Sequence, residues 1–314
     1  MTANPHGPRR RRLLTGLLVA SLVLNIGLGL LWSIDRDSDG ADDVVTADQA
    51  TSTTMASTTT TLSATTTTTT TSTTTLPPEV GPVRILVVGD SVASQIGWAL
   101  QGWSEEHPGE VVVFNEAHIG CGVVRYGFKR VDGLDGPVGD ICSNWNDPVA
   151  LHLAAETEIV SWPSAIELFE PDIVLATVSS WDATDRIVPD VVDDWSAIGD
   201  PRYDAYVLNE YTEAASVLAA SGADVYWLPS PYLAKDLLPI DHVERIDGLN
   251  ALATTAMRLV DASSDADIEQ VDYPGWLGEV GAARDRELRD DGVHLSIRGQ
   301  AEIAPWLIEE IGLS

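Results

Sequence analysis

Beyond about residue 80, short apolar runs alternate along the chain with longer segments in which apolar residues recur at helical spacing. Short apolar runs bounded by turn residues are typical of buried strands, and the helical recurrence is typical of helices with one buried face. Five runs predict strands: Val83–Val88, Val111–Asn115, Asp172–Val178, Val225–Leu228 and, more weakly, Ile268–Val271. Five longer segments predict helices: Val92–Glu105, Pro148–Phe169, Asp204–Ala220, Val243–Asp261 and Gly299–Ile311.

Strand and helix in alternation imply a parallel sheet, because right-handed crossovers between parallel strands place helices on both faces. The predicted fold class is α/β, with a three-layer α/β/α sandwich around a five-stranded parallel sheet of the flavodoxin-like kind. In such a sheet, binding sites form beyond the carboxyl ends of the strands. Functional residues are therefore expected just after Val88, Asn115, Val178 and Leu228.

The first 34 residues have the pattern of a membrane anchor. Arg9–Arg12 directly precede an uncharged apolar stretch that ends at Ile34, and about 20 such residues cross the hydrocarbon core of a bilayer. A cleaved signal peptide is the competing interpretation, but its apolar region is usually shorter and ends in an A-x-A-like site that is missing here. Because basic residues stay in the cytoplasm, we expect a cytoplasmic tail at residues 1–12, a single-pass transmembrane helix at 13–34, and the remainder on the outer side of the cell membrane.

Residues 35–80 are predicted to be a disordered linker. DRDSDGADD, which starts this segment, is similar to the opening of a calcium-binding loop, but Thr46 stands where that loop has a bidentate glutamate. We interpret it as a solvated acidic stretch. Residues 46–76 are almost all Thr, Ser and Ala, which bury too little apolar surface to offset the entropy of ordering. This stalk has a composition typical of O-glycosylation and leads to a folded domain predicted at 81–314.

Charge limits the classes of partner. The sequence has 18 basic and 48 acidic residues and a formal net charge of -30, and all the acidic residues follow the basic cluster at the N-terminus. The exported part is therefore strongly acidic, which argues against nucleic acid and anionic lipid as partners, since both are bound through clusters of Lys and Arg. The histidines lack metal-binding spacing, so we expect neither a metal site nor an organic cofactor.

Cys121 and Cys142 are the two cysteines of the sequence, and both follow the predicted anchor. An oxidising compartment permits a disulfide, whereas a catalytic thiol needs a reduced cysteine. We expect Cys121 and Cys142 to pair. Such a bond closes a loop of about 20 residues and disfavours the unfolded chain by about 3 kcal/mol.

Gly89-Asp90-Ser91 follows the first predicted strand and precedes the first predicted helix. At a helix N-terminus the amides point outward and the dipole favours negative charge, so a nucleophilic oxygen gains from this position. Gly89 permits a tight turn, and Asp90 can accept backbone N–H groups. The alternative interpretation is that Ser91 is an ordinary helix cap.

A base for this hydroxyl is offered near the C-terminus, where Asp291 and His294 lie three residues apart in DDGVHLSIRG. In a turn or short helix this spacing brings the carboxylate to Nδ1 of the imidazole and leaves Nε2 free to take the serine proton. A lone D-x-x-H pair is common by chance. Its weight comes from its combination with Ser91.

Together these blocks resemble the SGNH, or GDSL-like, hydrolase family, in which Gly-Asp-Ser follows the first strand and a D-x-x-H block near the C-terminus supplies the Asp and the His. A glycine after the second strand, matched by Gly120 in FNEAHIGCG, gives its N–H to the oxyanion hole in that family. The resemblance spans about residues 83–312 in order and spacing. It implies a catalytic triad of Ser91, His294 and Asp291, with the amides of Ser91 and Gly120 as the oxyanion hole.

One block departs from the family pattern. Where the family has Gly-x-Asn-Asp after the third strand, this chain reads SSWD at residues 179–182, so the side-chain amide of the oxyanion hole is missing. Removal of one such donor typically lowers the rate by about 100- to 1000-fold. The alternative donors are Nε1 of Trp181, Asn144 and Asn146, and the sequence does not decide among them.

The long segments after the second and third strands are expected to shape a substrate groove. The residues expected in or beside this groove are Asn115, Trp145, Trp181 and Asp182. For the two tryptophans, the alternative is packing within the core or at its rim.

GDSVA, the Gly-Cys-Gly after the second strand and the Trp-Asp-x-x-Asp-Arg after the third are similar to actinobacterial SGNH domains that occur alone or fused to membrane acyltransferases. That resemblance implies extracytoplasmic handling of O-acyl groups, commonly acetyl, on cell-envelope glycans or glycolipids, with a membrane acyltransferase as partner. The predicted function is a membrane-anchored serine esterase or O-acyltransferase without a cofactor. Two alternatives stay open: a non-catalytic module of the same fold that binds envelope glycan or a membrane partner, and a protease or thioesterase with the same triad.

Overall fold

The structure, a computed structural model, describes residues 81–131, 133–147, 151–154, 157–233, 242–281 and 286–313. The predicted cytoplasmic tail, transmembrane helix and linker lie outside these residues. Within the described ranges, no helix is both long enough and apolar enough to cross a bilayer.

Strands and helices alternate along the described chain, with extra strands in the segments after β2 and β7. In chain order the elements are β1 (Val83–Gly89), α1 (Ser91–Glu106), β2 (Val111–Ala117), β3 (Phe128–Val131), β4 (Leu134–Pro137), α2 (Asp140–Ser143), β5 (Leu151–Ala154), β6 (Thr157–Val160), α3 (Trp162–Phe169), β7 (Ile173–Thr177), a 3-10 helix (Ser180–Ala183), β8 (Asp185–Val188), β9 (Val192–Ser196), α4 (Pro201–Ala219), β10 (Asp224–Leu228), α5 (His242–Asp261), β11 (Ile268–Gln270), α6 (Tyr273–Glu279) and α7 (Ile297–Glu310).

The central sheet has five parallel strands in the order β11-β10-β7-β1-β2. These strands coincide with the five apolar runs of the sequence, so the predicted parallel sheet is confirmed. β1 lies between β7 and β2 and is buried on both faces from Ile85 onward, which explains why its sequence reads as a continuous apolar run.

Alternate side chains of β1 enter two separate hydrophobic cores. Ile85 and Val87 pack in the core that contains α1, α6 and α7, whereas Leu86 and Val88 pack in the core that contains α3, α4 and α5. Full burial of one such side chain contributes about 1.5–3 kcal/mol. Helices therefore cover both faces of the sheet, and the predicted three-layer sandwich is confirmed.

Four of the five predicted helices correspond to α1, α4, α5 and α7. The helix predicted over residues 148–169 is wrong in its first half, where β5 and β6 pair as antiparallel strands. Only the last part is helical, and α3 begins at Trp162. Pro163 fits the first turn of this helix. A longer helix starting before it would need a backbone N–H at this position, which proline lacks.

The segments after β2 and β7 together form an antiparallel sheet in the order β4-β3-β8-β9. These short strands were not predicted from the sequence. Cys121 and Cys142 form the expected disulfide, which joins the loop after β2 to α2. The two segments expected to shape a groove are thus paired with each other, and the disulfide ties the first of them to the start of the loop after β2.

Candidate active site

The chain turns sharply from β1 into α1 at Gly89. Gly89 has a φ of 134°, and a Cβ here would lie 1.8 Å from the carbonyl oxygen of Thr177, so the turn requires glycine. Asp90 caps α1, and its carboxylate accepts the amide N–H of Val92 at 2.8 Å. Ser91 is the first residue of the helix, at the positive end of the helix dipole.

Asp90 also joins this turn to the segment after β7. Its side chain is fully buried, and Oδ2 accepts the amide N–H of Ser179 at 2.8 Å as well as the hydroxyl of the same residue. Burial raises the pKa of Asp90, and the hydrogen bonds from Ser179 and Val92 oppose that rise. The turn that carries Ser91 and the end of β7 are therefore one hydrogen-bonded unit.

Asp291 and His294 lie in a tight turn between α6 and α7. Oδ1 of Asp291 accepts the amide N–H groups of Val293 at 2.7 Å and of His294 at 2.8 Å, and Gly292 supplies a φ of 80°. Arg289 is buried and donates from Nε to the carbonyl oxygen of Val293 at 3.1 Å, which fixes the turn. Burial disfavours the Asp291 carboxylate, but the hydrogen bonds from His294 and Val293 outweigh it and hold the pKa of Asp291 below its usual range.

The structure brings Ser91, His294 and Asp291 together. Nε2 of His294 lies 2.7 Å from Oγ of Ser91 across 203 residues of sequence, and Nδ1 lies 2.7 Å from Oδ2 of Asp291. With a proton on Nδ1 bonded to the carboxylate, the lone pair of Nε2 can accept the Ser91 proton. The arrangement can turn Ser91 into a nucleophile and afterwards return the proton to a leaving group.

A cavity of about 240 Å³ opens beside these side chains. It is smaller than the roughly 300–1,000 Å³ of common ligand pockets, and two larger cavities, of about 300 and 350 Å³, contain none of the three residues. Trp181, one of the expected groove residues, lines it. The full set of lining residues is Ser91, Val131, Ser179, Ser180, Trp181, Thr184, Leu233, Asp291, Val293 and His294.

The loop after β2 carries the second expected oxyanion donor. Gly120 has a φ of 82°, and the neighbouring Cys121 is fixed by its disulfide to Cys142. Across the part of the chain that the structure describes, the amides of Ser91 and Gly120 donate to no protein acceptor. These two amides are therefore available to a developing oxyanion.

Two of the residues expected in the groove lie elsewhere. Nδ2 of Asn115 donates to the carbonyl oxygen of Ser94 at 3.0 Å, and the side chain fills the space beside Gly97, which fastens β2 to α1. Trp145 is only 2% exposed, donates from Nε1 to a backbone carbonyl and packs against Trp162. The prediction of groove positions for Asn115 and Trp145 is therefore wrong, and the alternative of core packing holds for Trp145.

Asp182 was also expected in the groove, and that prediction is wrong because its side chain is fully buried. The carboxylate accepts the amide N–H of Val123 at 2.7 Å, Nη2 of Arg186 at 2.9 Å and the hydroxyl of Tyr211 at 3.1 Å. A Cβ on Gly122 would lie 1.9 Å from Oδ1 of Asp182. The second glycine of Gly-Cys-Gly thus makes room for this carboxylate, which holds the loop after β2 and does not line the cavity.

Trp181 stands at the asparagine position of the pattern that the sequence resembles, and it lines the cavity. Of the other two donors considered, Asn146 donates from Nδ2 to Glu213, and Asn144 lies at the C-terminal end of α2. Neither asparagine lines the cavity. Among these three residues, Trp181 is the one that lines the cavity together with Ser91.

Three residues in or next to the cavity were not predicted from the sequence: Lys129, Val131 and Leu233. Val131 and Leu233 line the cavity, and Lys129 contacts both Gly120 and Trp181. β3 has four residues, too few for its pattern to be distinguished from a loop. For Leu233 a signal was available, because it follows β10 at the carboxyl edge of the sheet.

No protein-family model and no curated protein matches the sequence. Solved structures that resemble the chain include the acetylxylan esterase Axe2 from Geobacillus stearothermophilus, with 14% identity over 74% of this chain and 95% of that chain and a TM-score of 0.43. LAE5, an alpha/beta hydrolase enzyme from the metagenome of Lake Arreo in Spain, has 13% identity, coverage of 74% and 96%, and a TM-score of 0.45. A protein of Slackia heliotrinireducens described as an SGNH hydrolase has 16% identity, coverage of 74% and 100%, and a TM-score of 0.39. At this level of similarity, the chemistry of the chain has to be inferred from its own residues.

Proposed function

We propose that this protein is a membrane-anchored, extracytoplasmic serine esterase or O-acyltransferase. The observation that carries the proposal is the hydrogen-bonded series from Ser91 Oγ through His294 to Asp291 at the edge of a cavity. Acyl transfer through a covalent intermediate needs a nucleophile, a base and a group that orients the base, and these side chains have that geometry. A module that only binds glycan has no physical need for a base 2.7 Å from Ser91.

The first half of the reaction forms an acyl-enzyme. Ser91 Oγ attacks the ester carbonyl while its proton passes to Nε2 of His294, and the Asp291 carboxylate stabilises the imidazolium. The carbonyl oxygen becomes an oxyanion, which the amides of Ser91 and Gly120 stabilise. When the tetrahedral intermediate collapses, the bond to the alcohol oxygen breaks and His294 gives its proton to that oxygen.

The second half releases the acyl group. A water molecule or a sugar hydroxyl gives its proton to His294 and attacks the acyl carbonyl, after which the bond to Ser91 breaks and His294 returns the proton to Oγ. Water as acceptor gives hydrolysis, and a sugar hydroxyl gives transfer. Every step is a proton transfer or a displacement at carbon, which these side chains can carry out.

The proposed substrate is a small acyl ester, with acetyl the best candidate. The cavity of about 240 Å³ is walled by Trp181, Val131 and Leu233, so a short acyl group suits it better than a long one. The alcohol part is proposed to be an envelope glycan or glycolipid, as the resemblance to the SGNH domains implies, and an indole such as that of Trp181 offers a face for a sugar ring. The anchor predicted at residues 13–34 would hold the site at the outer surface of the cell membrane, with a membrane acyltransferase as the proposed partner.

The test is labelling of the full-length protein with a fluorophosphonate probe, combined with an assay on an aryl acetate. The wild type should label and release acetate. Ser91→Ala should do neither, and His294→Ala should lose about 10⁴-fold or more in kcat, because the base and the nucleophile act as a unit. Ser94→Ala is the matched control, since this serine lies in the same helix and does not line the cavity, and it should label as the wild type does.

The same measurement separates the proposal from its alternatives. A folded protein that neither labels nor hydrolyses would favour the glycan-binding module. Acetate recovered on an added oligosaccharide, in place of free acetate, would assign the transferase. Faster turnover of peptides or thioesters than of oxygen esters would overturn the proposed substrate class.

A further inference from the structure

Lys129 is a cation on the cavity side of β3. Side chains two residues apart on a strand lie on the same face, so Lys129 shares its face with Val131, which lines the cavity. The intervening Arg130 lies on the other face and pairs with Asp135 at 2.6 Å. The segment after β2 therefore presents one lysine toward the proposed active site.

Nζ of Lys129 connects two parts of that site. It donates a hydrogen bond to the carbonyl oxygen of Gly120 at 2.8 Å and lies 4.4 Å from the ring centroid of Trp181, within the roughly 6 Å of a cation–π contact. Gly120 carries one of the proposed oxyanion amides, and Trp181 stands where the family asparagine is missing. The ammonium thus holds the donor loop and the cavity wall together.

The charges that face Lys129 are those of Arg186 and Asp182. Lys129 stands directly opposite Arg186 in the pairing of β3 with β8, and the buried Arg186 is paired with Asp182 at 2.9 Å. Burial, followed by the charge of Arg186, lowers the pKa of Lys129 to about 8, and Asp182 opposes this shift. Two cations and one carboxylate leave a net positive charge in this region at neutral pH, which favours negative charge that develops nearby.

We propose that Lys129, as an ammonium, is a positioning residue of the oxyanion hole. The inference rests on the proposed function. It assigns two roles to Lys129: its ammonium fixes the Gly120 loop and the Trp181 ring in place, and it puts a positive charge near the forming oxyanion. This role offsets part of the loss of the family's side-chain amide. A neutral amine can still donate to Gly120, but it lacks the charge-assisted hydrogen bond and the cation–π attraction.

The kinetic test compares the full-length wild type, Lys129→Arg and Lys129→Gln on an aryl acetate between pH 6 and pH 10. Lys129→Gln should lower kcat by about tenfold or more and leave KM within about twofold, because the interaction is strongest in the transition state. Lys129→Arg should recover most of kcat, since its guanidinium stays charged. In the wild type kcat should fall as the pH rises through about 8, and this alkaline fall should be missing in both variants.

A second readout does not depend on turnover, because Lys129 and Lys235 are the two lysines of the sequence. With ¹³Cε-labelled lysine, one resonance should titrate near pH 8 and disappear in Lys129→Arg. The other resonance is assigned to Lys235 by its disappearance in Lys235→Arg. Phosphonylation of Ser91 places a phosphonyl oxygen in the oxyanion hole, so it should move the Lys129 midpoint upward.

The proposal would be overturned if Lys129→Gln kept the kcat of the wild type and its fall at alkaline pH. It would also be overturned if phosphonylation of Ser91 left the midpoint of the Lys129 titration unchanged. A lower unfolding midpoint without a change in kcat would also overturn it, by assigning Lys129 a purely structural role. If Lys129→Gln does not fold, the pH profile of Lys129→Arg and the NMR titration of Lys129 test the proposal instead. If the wild type neither reacts with the probe nor hydrolyses the ester, both the proposed function and the role of Lys129 are overturned. If the wild type reacts with the probe and Lys129→Gln has unchanged kinetics, only the role of Lys129 is overturned.

Discussion

Oδ2 of Asp90 accepts both the amide N–H and the hydroxyl of Ser179, so a fully buried carboxylate ties the turn that carries Ser91 to the end of β7. The SGNH pattern has a glycine where this chain has Ser179. A glycine could give only its amide to Asp90. Compared with the pattern that the sequence resembles, Ser179 therefore gives Asp90 one more hydrogen bond, and Trp181 stands two residues later in place of the asparagine.

Ser179→Ala and Ser179→Gly should both destabilise the protein, because each removes the hydroxyl donor from the buried Asp90. A hydrogen bond to a charged group contributes about 1.5–3 kcal/mol, and urea unfolding should show a loss of that order. Ser216→Ala is the control, since its exposed hydroxyl bonds only within its own helix. A loss at Ser179 no larger than that at Ser216 would show that the Asp90–Ser179 hydroxyl bond contributes nothing to stability.

Asp182→Ala should be among the most destabilising substitutions in the folded domain. It would leave Arg186, which is 1% exposed, without its carboxylate, and breaking a buried ion pair in this way costs about 3–5 kcal/mol. Asp135→Ala breaks the exposed pair with Arg130 and should leave the denaturant midpoint unchanged. Equal midpoints for the two variants would contradict the structural role of Asp182.

The sheet could be predicted from sequence because strands buried on both faces read as uninterrupted apolar runs, as β1 does. Ser91, Asp291 and His294 could be located from sequence because Ser91 and the Asp291–His294 pair are local motifs whose geometry is set within one turn. The groove could not be predicted, since burial depends on partners distant in sequence. Asp182 follows a strand at the active edge of the sheet, yet its contacts with Val123 and Arg186 take it out of the groove.

Loss of the disulfide should lower both stability and kcat. Cys121 lies next to Gly120, and its bond to Cys142 spans 21 residues, which corresponds to about 3 kcal/mol. The double variant Cys121→Ser/Cys142→Ser should therefore unfold at lower denaturant concentration and turn over an aryl acetate more slowly. Reductant should shift the denaturant midpoint of the wild type toward that of the double variant and leave the double variant unchanged. A wild-type midpoint that does not change with reductant would argue against the disulfide.

The stability conferred by Asp291 should depend on pH in a defined direction. Its folded pKa lies below the usual range, so the carboxylate contributes stability above the unfolded value of about 3.9, and this contribution is lost as the pH falls through the folded pKa. The difference in unfolding free energy between the wild type and Asp291→Asn should be constant above about pH 5 and shrink below about pH 4. The effect should be small, because the side chain is 43% exposed. A difference that grows as the pH falls would reverse the assigned sign.

Trp181→Ala should widen the range of acyl groups accepted, because the indole lines the cavity beside Ser91 and His294. Room for one more methylene changes discrimination by about 10-fold or more. The acyl chain of butyrate is longer than that of acetate by more than one methylene, so the ratio of kcat/KM for an aryl butyrate to that for an aryl acetate should rise by at least that factor. Trp98→Ala is the control, since Trp98 is 43% exposed and lines a different cavity. The substitution also removes the cation–π partner of Lys129, which should lower kcat/KM for both esters. The ratio of the two values does not depend on that shared loss. Equal losses on acetate and butyrate would mean that Trp181 acts only through Lys129 and that the acyl chain does not enter this cavity.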